Sequence, residues 1–124
     1  MKNYAYMTLA SSSADYIKGV LCLQESLKRV GAKYPLIVLV TEDLAGSNDL
    51  QYVDNYKIIP YFTFKNITNR YEGTINKLQI FKENQYDKIC FIDADVLVLK
   101  NIDYLFEKYE ESDFTAKLYA NIHR

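Results

Sequence analysis

Apolar residues along this chain gather into a few short runs, and the stretches between them carry a helical period. Tyr4 to Leu9 is apolar around Met7 and Leu9 and reads as a first strand. The small polar loop Ala10-Ser11-Ser12-Ser13-Ala14-Asp15 follows, made of residues that favour turns and helix N-caps. Ile17, Val20, Leu21, Leu23, Leu27 and Val30 then recur on one helical face. The helix runs from Asp15 to Val30, with Lys28 and Arg29 in its last turn and Gly31 closing it. Behind Tyr34-Pro35, the run Leu36-Ile37-Val38-Leu39-Val40 is apolar throughout, the mark of a central parallel strand.

The second half reads less evenly. A weak helix over Ser47–Asp54 and a short strand over Lys57–Ile59 precede Pro60. Tyr61 to Tyr71 has no clear period and reads as loop, and Gly73-Thr74 opens a helix to Gln85 on Ile75, Leu78 and Phe81. Lys88-Ile89-Cys90-Phe91-Ile92 then leads into Asp93-Ala94-Asp95. So apolar a run predicts a central strand buried on both faces. Val96 to Leu99 reads as another short strand, Asn101-Ile102-Asp103 as the cap of a short helix through Tyr109, and Phe114 to Leu118 as a last strand.

Strands alternating with helices over short connections predict an α/β fold, a twisted and mostly parallel sheet with right-handed crossovers. In such sheets ligands bind beyond the carboxyl ends of the strands, where Asp93 falls. Two carboxylates arriving there from an apolar strand must be solvated, paired or bound to a cation. Mg²⁺ or Mn²⁺ with a phosphate ligand suits them, since these hard cations take one or two carboxylates and leave the remaining positions to water and phosphate. Asp-x-Asp is a short motif, however, and after a strand it also marks an Asx turn or a helix cap. The first strand–loop–helix unit offers backbone N–H groups and hydroxyls to an anion or nucleotide, but lacks Gly-x-Gly-x-x-Gly. An ordinary capped helix start explains it equally well.

Composition narrows the picture modestly. A length of 124 residues, 49% of them hydrophobic and 25% charged, describes one globular domain with a real core. A net charge of −1 without a basic stripe argues against nucleic acid or a membrane surface as partner. No run approaches the ~18 apolar residues of a bilayer span, and the N-terminus lacks a signal-peptide apolar region. Cys22 and Cys90 lie among apolar neighbours and read as reduced core thiols of a cytoplasmic protein. The sequon Asn66-Ile67-Thr68 is then expected to go unused, the 12 tyrosines read as core and rim residues, and His123 is assigned no role.

Several blocks, taken together, resemble family 8 of the glycosyltransferases, the group containing glycogenin and galactinol synthase. They are Tyr6-Met7-Thr8-Leu9 with its small loop, Asp15-Tyr16-Ile17-Lys18-Gly19-Val20, Tyr34-Pro35-Leu36-Ile37-Val38-Leu39 and Asn76-Lys77-Leu78-Gln79-Ile80-Phe81. Tyr86 through Asp95 and Asn101-Ile102-Asp103-Tyr104-Leu105-Phe106 complete the set, in the family's order and over nearly all of the chain. The resemblance implies a GT-A-type nucleotide-diphospho-sugar fold that transfers a hexose from UDP-glucose or UDP-galactose with retention of configuration. It implies Mn²⁺ or Mg²⁺ held by Asp93 and Asp95, with Asp93 or its neighbouring backbone, at Ala94, also meeting the ribose. Leu9, Ser11, Ser12 and Tyr16 would line the uridine site, Tyr16 stacking on uracil, and Lys77 would approach the diphosphate or the donor sugar.

The resemblance also implies that residues 1–124 are the N-terminal, nucleotide-binding part of a truncated domain. Family members continue for about the same length again. That second half would supply a histidine as third metal ligand, the groups around the anomeric carbon and the site for a carbohydrate, polyol or protein acceptor. No catalytic residue is therefore assigned here, and the chain is expected to bind donor but transfer little. An uncovered sheet edge would favour a homo-oligomer or a complementing C-terminal half. A non-catalytic UDP-sugar-binding or assembly module is the alternative. A haloacid-dehalogenase-like phosphatase is a remote one, because its Asp-x-Asp opens the domain instead of coming late.

Overall fold

The computed structural model describes residues 3–62, 76 and 78–108. Among them the chain forms β1 (Tyr4–Ala10), α1 (Asp15–Arg29), β2 (Leu36–Thr41), β3 (Tyr56–Ile59), β4 (Lys88–Phe91) and the short helix α2 (Tyr104–Lys108). Single 3₁₀ turns occupy Glu42–Leu44, Asn48–Tyr52 and Leu78–Lys82. The strands stand in the order β3-β2-β1-β4, and every pair is parallel. The α/β architecture with a parallel sheet is thus as the alternation of elements predicts. No described helix is long and apolar enough to cross a membrane.

Strand alternation divides the core between the two faces of the sheet. Tyr4, Tyr6 and Ala10 of β1, with Val38 and Val40 of β2, pack against Ile17, Val20, Leu23 and Leu27 of α1. On the opposite face Met7, Leu39 and Ile59 form a smaller cluster with Leu9, Ile37, Ile80, Tyr86 and Ile89. The C-terminus of α1 follows the glycine rule. Gly31 takes φ +73°, its N–H reaches Lys28 O at 3.1 Å, and Ala32 N reaches Leu27 O at 3.1 Å.

Several expectations need correction. β4 is not central: among the described residues it pairs with β1 alone and is half-buried at each position. A solid apolar run cannot distinguish a centre strand from a covered edge, and the centre here is β1 and β2. Val96–Leu99 is not a strand. This segment lies along α1, with Ala94 and Val98 buried, Leu97 and Leu99 exposed, and Val98 N donating to Ser26 Oγ at 3.0 Å. Its alternation is real, but a helix is what it packs against. Only part of the helix expected over 73–85 is described: Asn76 is α-helical, as expected, while Leu78–Lys82 is 3₁₀ and Glu83 N bonds Ile80 O before the chain turns into β4. Lys77, Tyr109, Asn66 and the expected strand at 114–118 lie outside the described residues.

Asp103 also departs from expectation. Its main-chain carbonyl accepts from Phe106 N, while its carboxylate turns inward. There it accepts from Tyr6 Oη at 2.6 Å, Lys33 N at 3.0 Å and Asn101 Nδ2 at 3.1 Å. Asn101 Nδ2 also donates to Val30 O at the end of α1. Phe106 stacks on Tyr4 at 5.1 Å and meets Tyr6 and Tyr34 edge-on. Burial, reinforced by the bond to Asp103, pushes the Tyr6 hydroxyl well above the ordinary tyrosine range, so Tyr6 stays the donor.

Gly19 sets how close α1 comes to the segment after β4. A methyl group there would lie 2.6 Å from the Ala94 carbonyl oxygen and 3.3 Å from its carbon. Both are backbone atoms, so no side chain can swing away to make room.

Three expected outcomes follow from this packing. Alanine in a helix is favoured over glycine by about 1 kcal/mol, yet Gly19→Ala should lose about 1 kcal/mol net in urea unfolding, because overpacking costs ~1–3 kcal/mol. A stabilised variant would rule out the contact. Asp103→Ala strands the Tyr6 hydroxyl and the Lys33 N–H, and should lower unfolding free energy by about 3 kcal/mol. The cysteines are both free, but Cys22 is exposed and not a core residue, whereas burial pushes the half-buried Cys90 thiol up to about 11. Iodoacetamide at pH 8 should label Cys22 alone in the native chain and both thiols in urea, read by mass spectrometry.

Candidate functional site

Because the sheet is parallel, all four strands end on the same edge. β1 runs into Ser11-Ser12-Ser13, β2 into Glu42-Asp43, β3 into Pro60-Tyr61-Phe62 and β4 into Ile92-Asp93-Ala94-Asp95. From β1 the chain builds outward through β2 and β3, then returns to the other side of β1 for β4. The order therefore reverses between β1 and β4. Loops leaving neighbouring strands at such a switch point diverge and leave a crevice, where ligands of open α/β sheets bind. The serine loop and the Asp-x-Asp turn are its two walls.

The aspartate wall is locally simple. Ile92 N donates to Met7 O at 2.8 Å, continuing the ladder one step past β4, and Val96 N closes a turn on Asp93 O at 3.1 Å. Asp93 and Asp95 are exposed, while Ala94 between them is buried in the α1-side core close to Gly19. Two exposed carboxylates on one tight turn form a hard-oxygen donor pair that fits Mg²⁺ or Mn²⁺, with other ligands completing the shell. Among the described residues no cluster of three or more His, Cys, Asp or Glu side chains assembles.

The serine wall is more constrained. Ser11 is buried, and its hydroxyl has no hydrogen-bond partner among the described residues; Thr8, fully buried on β1, has the same unmet hydroxyl. Ser12 adopts φ +73°, the left-handed region that side chains other than glycine rarely occupy. Its N–H donates to Asp43 Oδ2 at 3.1 Å, and its hydroxyl lies 3.2 Å from Tyr61 Oη. Ser13 leads into α1, its hydroxyl accepting from Asp15 N at 3.2 Å and its carbonyl from Tyr16 N at 3.1 Å. Tyr16 stands in the first turn of α1 with 47% of its surface exposed. Leu9, by contrast, faces the smaller cluster on the other side of the sheet.

Of the expected donor residues, Ser11, Ser12, Tyr16, Asp93, Ala94 and Asp95 therefore surround one edge. Leu9 lies near the end of β1 but packs on the face away from α1, and Lys77 lies outside the described residues. Its neighbours do bear on the site. Asn76 is fully buried and brackets the backbone of Phe62, accepting from its N–H at 2.8 Å and donating to its carbonyl at 3.1 Å. Gln79 Nε2 donates to Pro60 O at 2.7 Å. Together they fix the turn that brings Tyr61 to Ser12. Sequence reading missed Glu42, Asp43 and Tyr61; their position just past strand ends was the available signal.

No family model matches the chain. It is similar to galactinol synthase 3 of Arabidopsis thaliana, 32% identical over 124 residues that cover 94% of this chain and 37% of that protein. Galactinol synthase 2 of the same plant is 33% identical over 111 residues, 83% of this chain and 33% of the relative. A putative UDP-glucuronate:xylan alpha-glucuronosyltransferase 3, also from Arabidopsis thaliana, is 33% identical over 86% of this chain and 18% of its own length. The chain spans about a third of the galactinol synthases and less than a fifth of the glucuronosyltransferase. With the parallel sheet and the Asp-x-Asp turn at its switch point, that similarity makes this chain a member of glycosyltransferase family 8.

Proposed function

We propose that this chain carries the donor site of a retaining glycosyltransferase that uses a UDP-hexose with Mn²⁺ or Mg²⁺. One observation supports the reading above others: Asp93 and Asp95 stand exposed at the sheet's switch point, on the strand-end edge that also carries the serine loop before α1. Asp93 and Asp95 would hold the cation, which when bound supplies Lewis-acid stabilisation of a diphosphate leaving group. The chain's own residues bind and orient the donor. The exposed Tyr16 ring offers a face to a nucleobase, and the Ser11 hydroxyl is an unmet group that a bound nucleotide would satisfy. Lys77, placed by sequence alone, would add positive charge near the diphosphate. UDP-glucose and UDP-galactose are the donors in view, and a name built on UDP-glucuronate among the relatives widens the set to a hexuronate. The acceptor, a carbohydrate, polyol or protein, would meet residues beyond this chain, which alone should bind donor and transfer little.

Calorimetric titration with UDP tests the reading. In manganese the native chain should bind UDP, and Asp93→Ala/Asp95→Ala should bind at least about tenfold more weakly, a difference of ~1.4 kcal/mol. Chelation by EDTA should reproduce the loss in the native chain. Equal affinity with and without the two aspartates would sink the metal assignment. Binding that persisted in the double variant without metal would favour a non-catalytic UDP-sugar-binding module.

A further inference from the structure

Ser12 is the one described residue other than glycine at positive φ. Such a conformation is unfavourable for a side-chain-bearing residue and persists only where the surroundings impose it. Two groups on neighbouring strand ends grip Ser12: the Asp43 carboxylate, which accepts from its N–H at 3.1 Å, and the Tyr61 hydroxyl, 3.2 Å from its Oγ. Tyr61 is itself tied back to the same post-β2 turn, its N–H donating to Glu42 Oε1 at 3.4 Å. Loops following β2 and β3 thus hold the loop following β1 in a shape it would not keep alone. A charged acceptor makes the stronger kind of hydrogen bond, so Asp43 carries most of the grip.

We infer that Asp43 is a positioning residue for the donor site: it clamps Ser12 in the left-handed conformation and so presets the serine loop for the nucleotide. This inference rests on the donor-site reading above. Asp43 touches no donor atom in this role. It acts through Ser12, by sparing the nucleotide the cost of ordering the loop.

The direction of the effect separates this role from simple electrostatics. Asp43 is an anion near a site for a diphosphate, so removing its charge would by itself strengthen UDP binding. Positioning predicts the opposite. By calorimetry in manganese, Asp43→Ala should bind UDP about tenfold more weakly, the scale of one lost hydrogen bond to a charged group. Asp43→Asn keeps an acceptor oxygen and should stay within about threefold of the parent. Glycine at position 12 adopts the same backbone without penalty, so in a Ser12→Gly background the Asp43→Ala loss should shrink to about threefold or less.

Unchanged or tighter UDP binding by Asp43→Ala overturns the inference, and so does an equal loss with serine or glycine at position 12. A parent chain that does not bind UDP at all removes the donor-site reading instead. The clamp is then judged without ligand: Asp43→Ala should lower the melting temperature by less in the Ser12→Gly background than in the parent, and equal drops overturn the clamp as well.

Discussion

Helix α1 lies backbone against backbone on the segment that follows β4, and this is possible only because position 19 has no side chain. The contact between Gly19 and the Ala94 carbonyl is the first of three along the helix. Ser26 takes the Val98 N–H one stage further on, and Asn101 reaches the carbonyls of Val30 and Gly31 at its end. The segment from Ala94 to Asn101 is thereby aligned along α1 from its second turn to its C-cap. The first turn of the same helix grows out of the serine loop. One rigid element therefore sets both walls of the crevice, and the distance between Asp93 and the loop at Ser12 depends on how closely α1 packs.

The two edges of the sheet are built for different ends. Where the strands begin, a paired network forms around Asp103, although the buried Glu83 Oε1 on that side has no partner among the described residues. Asp103 gathers donors from Tyr6, Lys33 and Asn101, and Phe106 closes an aromatic cluster with Tyr4, Tyr6 and Tyr34. A buried carboxylate so fully paired locks register and holds α2 in place. Where the strands end, the Ser11 hydroxyl lacks a partner among the described residues and Ser12 sits at positive φ. Strain of the kind seen at Ser12 is what binding loops on a rigid scaffold commonly carry.

The kinship with galactinol synthases and glucuronosyltransferases covers most of this chain but a minority of theirs. What the described residues of the chain hold is a parallel sheet with a switch point between β1 and β4. β3 leaves Tyr56 and Ile58 exposed at the far edge among the described residues.

The sequence by itself determined the elements whose signal is local. Period-3.6 spacing with a C-terminal glycine placed α1 to within a residue, and short, largely apolar runs placed β1 and β2. The pair Asp93 and Asp95 was legible as candidate chemistry because charge is rare directly behind an apolar strand. Only the tertiary structure decided what such patterns pack against. β4 reads as central yet among the described residues pairs with β1 alone, since an apolar composition records burial and not whether the cover is a strand or a helix. Val96 to Leu99 alternates like a strand while lying on α1, because alternation records a buried side and not the identity of its partner. Asp43, Tyr61 and Gly19 carry no local pattern at all. Their roles exist only once parallel pairing brings the ends of separate strands to one edge, and that is a property of distances between segments far apart in the chain.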